Sequence, residues 1–316
     1  MPATPLVSII IPTCNRDAQL RDAVESVFAQ TYPHWELLVI DDGSTDGTKA
    51  YLDTLTDTRV RPLLHQHCGN PALLRNVAAR AARGSYLAFL DSDDVWLPEK
   101  LALQVADFLA HPECRWSYTA YVHMDEQGRG AQWRNGRPWV PYRGWILEDL
   151  ITVQPIIAMP TVMVEPRLFA AVGGFDESVR GCEDYDLSLR LAAASAVTVV
   201  PTALAKKRQH FEERPTGQLA LMKQMNGVYT RLVARTTSPR VRRMGRRQRT
   251  QFNLRFVSRF RSTGRYREAR RALGVSFPHS GWRPAWWAEL LKTLVRPILP
   301  SGLLSLYHAL SRDHPL

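Results

Sequence analysis

Three aspartates fall within four positions of the stretch FLDSDDVWLP: Asp91, Asp93 and Asp94. Carboxylates crowded this closely repel one another unless something cationic lies between them. The alternate pair Asp91 and Asp93 suits a hard divalent ion that keeps coordination positions open for phosphate oxygens. A second acidic pair, Asp41 and Asp42, stands in WELLVIDDGSTDGT, and a third, Glu183 and Asp184, in GCEDYDLSLRL. A carboxylate within hydrogen-bond reach of a substrate hydroxyl can take its proton as the oxygen attacks an electrophilic carbon. Taken alone, an acidic triplet is as easily a solvated turn. Acids at a helix start are also favoured simply by the helix dipole. The case for chemistry therefore depends on the elements that hold these groups.

Those elements read as alternating strands and helices. VSIIIPT (7–13) is a nearly continuous β-branched run, the pattern of a strand buried on both faces. Asn15 to Asp17 offer a turn and a cap, after which Leu20, Ala23, Val24, Val27 and Phe28 recur at helical spacing. WELLVIDD is a second buried strand. Pro71 opens another helix, with Gly84 at its end, and SYLAFLDSDD is a third strand, after which Pro98 starts the next helix. AVTVVP (196–201) reads as a further strand. Such an order implies parallel pairing through crossover helices, with ligands outside the carboxyl ends of the strands. The acidic clusters at 41–42 and 91–94 then share one edge of the sheet.

The bounds agree with an enzyme. The chain has 316 residues, 45% hydrophobic and 22% charged. It has neither a signal-peptide pattern at its start nor an apolar run of the roughly 18 residues that a membrane span needs. Cys14, Cys68, Cys114 and Cys182 show no CxxC spacing, which argues against structural zinc or a disulfide frame. A reducing, cytoplasmic setting is expected. The net charge of +11 is unevenly spread: residues 1–200 hold 17 Lys and Arg against 25 Asp and Glu, leaving 24 against 5 for residues 201–316. Two regions with different partners are implied.

The segments VSIIIPTCNR, LLVIDDGSTDGT, RNVAARAARGSYLAFLDSDDVWLPEKL and VGGFDESVRGCEDYDLSLRLA resemble, in order, the successive motifs of family 2 glycosyltransferases. The resemblance spans about residues 5–210. It implies the glycosyltransferase-A fold, an α/β architecture with a mainly parallel central sheet flanked by helices. It also implies transfer of a sugar from a nucleotide diphosphate sugar, UDP-linked by preference, to an acceptor hydroxyl, with inversion and with Mn²⁺ or Mg²⁺. By the same resemblance Pro12, Thr13, Asn15, Asp42, Arg75, Asn76, Asp91 and Ser92 hold the nucleotide sugar. Asp93 binds the metal with Asp91, and His210 of KKRQH joins it. Asp184 is the general base and Glu183 its acceptor-side support, beside a flexible loop GGFDE (173–177). Asp94 reads equally well as a cap of the following helix.

The catalytic domain is expected over 1–215 and a helical, basic, amphipathic region over 216–316. In the latter, Leu219, Met222, Val228 and Leu232 form an apolar stripe. RVRRMGRRQR (240–249) is a dense cationic run, and RPAWWAELLKTLVRPILPSGLLSLYHALSR mixes aromatics with cations without reaching a full span. That composition suits a helix lying on an anionic membrane surface, with Trp286 and Trp287 inserted. The expected partners are therefore a donor sugar nucleotide, a glycan or lipid-linked acceptor, and the inner face of the plasma membrane. The QxxRW signature of processive synthases is absent, so a single addition is expected, in the synthesis of bacterial cell-surface glycan. A sugar nucleotidyltransferase shares the sheet but carries a Gly-rich, lysine-containing first loop, which PTCNRDAQ is not. A nucleic-acid binder would explain the arginines but not carboxylate clusters that repel phosphates. A non-catalytic partner in glycan assembly would not need the Asp93 and Asp184 carboxylates.

Overall fold

A computed structural model describes residues 4–133, 139–155, 157–209, 215–280 and 284–295. It divides into two compact units, residues 1–212 and 213–316.

The first unit begins with β1 (Val7–Thr13), α1 (Asp17–Phe28), β2 (Trp35–Asp42), α2 (Thr48–Asp53), β3 (Val60–His65), α3 (Pro71–Ala81) and β4 (Tyr86–Phe89). It continues through β5 (Val95–Trp96), α4 (Lys100–Ala110), β6 (Trp116–Met124), α5 (Leu147–Thr152), β7 (Met163–Val164), α6 (Pro166–Ala171), α7 (Glu183–Ala194) and β8 (Val197–Arg208). The strands form one sheet in the order β3-β2-β1-β4-β7-β6-β8-β5. Pairing is parallel from β3 through β4 and between β6 and β8. It is antiparallel where β7 joins β4 to β6 and where β5 caps β8. The sheet is thus mixed, and β1, β2 and β4 of its parallel half are the strands legible as apolar runs.

Every residue of β1 and β2 is buried, as strands covered on both faces require. Ile9, Ile11, Leu37 and Val39 pack with Leu20, Val24 and Val27 of α1 and with Val105 and Phe108 of α4. The register sets Thr13 beside Asp41 and Ile10 beside Phe89. The carboxyl ends of β1, β2 and β4 therefore open at one edge. There the chain turns to β2 on one side of β1 and to β4 on the other, the switch point where open sheets bind ligands.

Gly84 does not end α3, which stops at Ala81 with an extended Ala82 behind it. Its role is close approach. A Cβ there would lie 2.6 Å from the Ser8 nitrogen and 2.7 Å from the Leu6 oxygen, where the chain enters the sheet beside β1. The Gly84 N–H donates to Ser8 Oγ at 2.8 Å.

The second unit is helical: α8 (Pro215–Arg235), α9 (Pro239–Ser262), α10 (Tyr266–Ser280) and α11 (Pro284–Val295). Ser238 caps α9 by accepting the Val241 N–H, and Pro239 follows at the first helical position. Met222, Leu254, Val257, Phe260, Leu273 and Trp286 form a hydrophobic core of its own. Trp286 is 5% exposed and donates its indole N–H to Ser276 Oγ at 2.8 Å, so it packs inward and is not free to insert into lipid. Trp287 is 50% exposed. No described helix is long and apolar enough to cross a membrane.

Candidate active site

A cleft of about 360 Å³ opens at the carboxyl edge of β1, β2 and β4. Pro12, Thr13, Asp42, Arg75, Asp91, Ser92 and Asp93 line it, with Cys14, Arg16, His67 and Lys207. The Thr13 hydroxyl oxygen is buried and has no hydrogen-bond partner among the described residues. An unsatisfied buried hydroxyl on a cleft wall is what a bound ligand would complete.

Asp42 ends β2 with its carboxylate fixed by the backbone. Oδ1 accepts the Cys68 N–H and Oδ2 the Gly69 N–H, each at 2.8 Å. Burial opposes its ionisation, but those hydrogen bonds outweigh it and hold the carboxyl below its usual range. Its neighbour Asp41 is turned back onto the Ser44 N–H and hydroxyl and braces the turn instead. Asn15, in the left-handed region at φ 51°, is likewise spent on the turn, accepting the Thr45 N–H at 2.7 Å. It is not among the residues at the cleft wall.

Arg75 is the hub. It lies on α3 with its side chain 5% exposed and donates to Asp91 Oδ1 at 2.6 Å. Its other terminal nitrogen lies 3.5 Å from Glu183 Oε1 and 3.8 Å from Asp184 Oδ1, both at the first turn of α7. One guanidinium thus joins the β4 edge to the acidic helix start, and its pKa is raised by the three carboxylates in spite of burial. The next residue, Asn76, takes a different part. Its amide donates to Phe175 O and Glu177 Oε1 and accepts the Phe175 N–H, each at 2.9 Å. The GGFDE segment is therefore pinned rather than flexible. Gly174, at φ +63°, admits this clamp, because a Cβ there would fall 2.7 Å from Asn76 Oδ1.

The acidic triplet divides its labour. Burial disfavours the Asp91 carboxylate, but Arg75 and Lys207 outweigh it and hold the group below its ordinary pKa. Lys207 Nζ, near the end of β8, lies 3.5 Å from Asp91 and 3.4 Å from Asp94. Asp94 is no helix cap, since Glu99 occupies the cap position of α4. Its Oδ1 accepts the Arg208 N–H at 2.8 Å, which ties the acidic turn to β8. Burial pushes its pKa up to about 7. Asp93 pairs with Arg16, whose side chain is 41% exposed. Carboxylate oxygens of Asp91, Asp93 and Asp94 all lie within 4.8 Å of one another, a hard oxygen set of the kind a divalent ion takes. Asp94 is committed to β8, so Asp93 with Asp91 fits such an ion better. His210 lies outside the described residues.

Asp184 has a buried Oδ1 without a hydrogen bond among the described residues, as does Glu183 Oε2. Burial, reinforced by Asp91 and Glu183 and opposed by Arg75 and Lys207, pushes the Asp184 pKa up to about 7. A carboxylate tuned to that range is suited to accept a proton near neutral pH. Arg16 and Lys207 escaped the sequence-based site. Lys207 stood in the KKRQH stretch but beside two other cations, and strand phase alone did not single it out.

Residues 8–148 match the family described as Glycosyl transferase family 2. The chain carries a family 2 glycosyl transferase domain. Among curated relatives, the "UDP-Glc:alpha-D-GlcNAc-diphosphoundecaprenol beta-1,3-glucosyltransferase WfgD" of Escherichia coli is 41% identical over 104 residues, 33% of this chain and 41% of that protein. The chain spans between 32% and 50% of the length of the first curated relatives it matches. Among solved structures, S. aureus TarS 1–349 in complex with UDP-GlcNAc superposes with TM-score 0.65 at 19% identity, covering 85% of this chain and 79% of TarS 1–349. The mannosyltransferase PcManGT of Pyrobaculum calidifontis, in complex with GDP-Man and Mn²⁺, gives TM-score 0.61 at 19% identity, covering 96% of this chain and 84% of PcManGT. These structural likenesses place the family 2 domain in the glycosyltransferase-A fold.

Proposed function

We propose that this family 2 protein is an inverting glycosyltransferase. It moves one sugar from a UDP-sugar to a hydroxyl of a lipid-linked glycan in cell-surface polysaccharide synthesis, with Mn²⁺ or Mg²⁺. The observation that carries this reading is the sharing of Arg75 between Asp91, on the donor side of the cleft, and the Glu183–Asp184 pair. A diphosphate-facing carboxylate and a base with a pKa near 7 thereby belong to one electrostatic unit. The WfgD and TarS likenesses support the UDP donor and, for WfgD, a diphosphoundecaprenol acceptor.

On this reading Thr13 and Asp42 bind the nucleoside. Each Asp42 oxygen spends one lone pair on a backbone N–H and keeps another for the base. Arg16 and Lys207 face the diphosphate as fixed cations. A divalent ion held by Asp93 and Asp91 would offset the charge that develops on the departing nucleotide. Asp184 takes the acceptor proton, Glu183 supports the acceptor, and Arg75 keeps both in place. The C-terminal unit rests on an anionic membrane surface. It offers exposed Arg243, Arg246 and Arg247 on α9, and exposed Trp287, Leu291 and Leu294 on α11.

The deciding test is UDP release with a polyprenyl diphosphate-linked saccharide as acceptor. Asp93→Asn is expected to keep the fold and lose most turnover. Full activity of that variant, or full wild-type activity in excess EDTA, overturns the metal-dependent reading.

A further inference from the structure

The nucleoside end of the cleft holds a second group of ligating atoms, chemically unlike the aspartate triplet. Cys14 follows β1 directly, Asp42 ends β2, and His67 lies two residues past β3. Three adjacent parallel strands thus deliver a thiol, a carboxylate and an imidazole to one corner of the sheet edge. His67 Nδ1 lies 3.2 Å from Asp42 Oδ2 and 3.8 Å from Cys14 Sγ. One ligating atom from each of the three residues falls within 4.8 Å of the other two. Zinc bonds of about 2.0–2.2 Å to nitrogen and oxygen and about 2.3 Å to sulfur, at tetrahedral angles, put ligand atoms roughly 3.4–3.6 Å apart. The observed separations bracket those edges. The carboxylate is already oriented by two backbone N–H groups. His67 Nδ1 and Cys14 Sγ also lie 3.0 Å and 3.5 Å from the Asp42 carbonyl oxygen, so metal binding replaces those two contacts and leaves the imidazole proton on Nε2.

We propose that Cys14, Asp42 and His67 form a site for a soft divalent ion of the zinc class, and that its occupation excludes the donor nucleotide. The donor set decides the metal. Thiolate and imidazole favour zinc over magnesium or manganese, whereas the carboxylates of Asp91 and Asp93 have the opposite preference. The two sites therefore discriminate by chemistry within one cleft. Binding breaks the Cys14 S–H bond. The proton passes to solvent, and the sulfur electron pair goes to the metal with no change of oxidation state. Three protein ligands leave a fourth position for water. All three residues line the cleft, and Asp42 is the carboxylate assigned to the nucleoside. Exclusion of nucleotide rests on that assignment, whereas metal binding does not. A second set, Asp42 with His65 and Cys68, shares the carboxylate through its other oxygen, at 3.9 Å from His65 Nδ1. Neither His65 nor Cys68 lines the cleft.

Cobalt(II) reports the site, because thiolate ligation gives a sulfur-to-metal charge-transfer band in the near ultraviolet. The full-length protein titrated with Co²⁺ is expected to develop this band with one ion per chain and to lose it on addition of Zn²⁺. Cys14→Ser should abolish the band, His67→Ala should weaken Co²⁺ binding by at least about tenfold, and Cys68→Ser should leave both unchanged. A wild-type protein without the band, a full band in Cys14→Ser, or its loss in Cys68→Ser overturns the assignment. Calorimetry of Zn²⁺ with and without saturating UDP tests exclusion, expected as a Zn²⁺ affinity lowered by UDP beyond what chelation of the ion by free UDP accounts for. If UDP binds the zinc-free protein yet leaves that affinity unchanged, exclusion is wrong. If UDP fails to bind the zinc-free protein, the donor reading falls, and the cobalt spectra still decide the metal site.

Discussion

Asp184 is costly to keep ionised, and that cost is tied to its proposed use. Asp184→Asn removes the proton acceptor and should lower transfer by roughly 10²–10⁴-fold while UDP affinity barely changes. Collapse of UDP binding with turnover retained would make Asp184 structural instead. The same variant carries a stability signature. The folded pKa is raised to about 7, against about 3.9 unfolded. The unfolded chain therefore gives up this proton first. Stability contributed by the protonated carboxyl is complete below about pH 3.9 and is lost as pH rises through 7. Asparagine suffers no such loss, so Asp184→Asn should melt above the wild type at pH 8 and level with it near pH 4. Lys100 makes a cleaner case. It is fully buried, its Nζ has no hydrogen-bond partner among the described residues, and it sits 3.8 Å above the Trp96 ring. Burial drives its pKa well below the ordinary lysine value. Its ammonium thus penalises the fold at neutral pH, and the penalty fades as pH rises toward about 10.4. Lys100→Met should raise Tm at pH 7, with the advantage shrinking at pH 10; a lower Tm at pH 7 would show that the ammonium has a partner. At this scale the sequence disclosed groups that announce themselves by local spacing, such as Asp42, Asp91 and Asp93. Lys207 could not be found that way, because its partner Asp94 lies 113 residues distant.

Helix α3 shows how elements convert side chains into a site. Successive residues on it, Arg75 and Asn76, reach the carboxylates and the 173–177 segment respectively. Asn76→Ala removes three hydrogen bonds from a buried clamp and leaves the Phe175 N–H without its acceptor. A loss of about 1–3 kcal/mol in stability is expected, with faster proteolysis between residues 173 and 181, read by mass spectrometry of the fragments. Unchanged stability and cleavage would mean that the segment holds itself. The elements most legible in the sequence were β1, β2 and β4, whose apolar runs exist because both faces are covered. Val60–His65 escaped because only Val60 is buried, the rest alternate between half-buried and exposed, and Pro62 sits in it at the sheet's edge. Met163–Val164 is two residues long and is a strand only because β4 and β6 flank it. No local pattern encodes that; with β5 this strand supplies the antiparallel pairings of a sheet that is otherwise parallel, as expected.

Across the whole molecule, charge and hydrophobic cores follow the same division. Residues 201–316 contain 24 of the 41 basic residues and only 5 of the 30 acidic ones. Cations near an anionic leaflet each add on the order of 1 kcal/mol. Co-sedimentation with anionic vesicles should therefore be strong at low salt. It should weaken as the Debye length falls from about 10 Å at 0.1 M to about 3 Å at 1 M. A residue of binding should persist through Trp287, Leu291 and Leu294. Replacing Arg243, Arg246 and Arg247 with alanine should remove the salt-sensitive part alone. Indifference of the wild type to anionic vesicles at low salt would leave the basic unit to some other partner. The charge asymmetry was legible from composition, whereas the inward packing of Trp286 was not, since its partner Ser276 belongs to another helix. The separate cores have a further consequence for inheritance. Val7 to Ala205 contribute one cluster and Met222 to Trp286 another, with no member in common. On the proposed reading, a recombination event between them exchanges the membrane-docking part without disturbing the core that packs behind the donor cleft. Lineages built on this plan can relocate an old reaction, or retune a donor pocket at an old location, as independent steps.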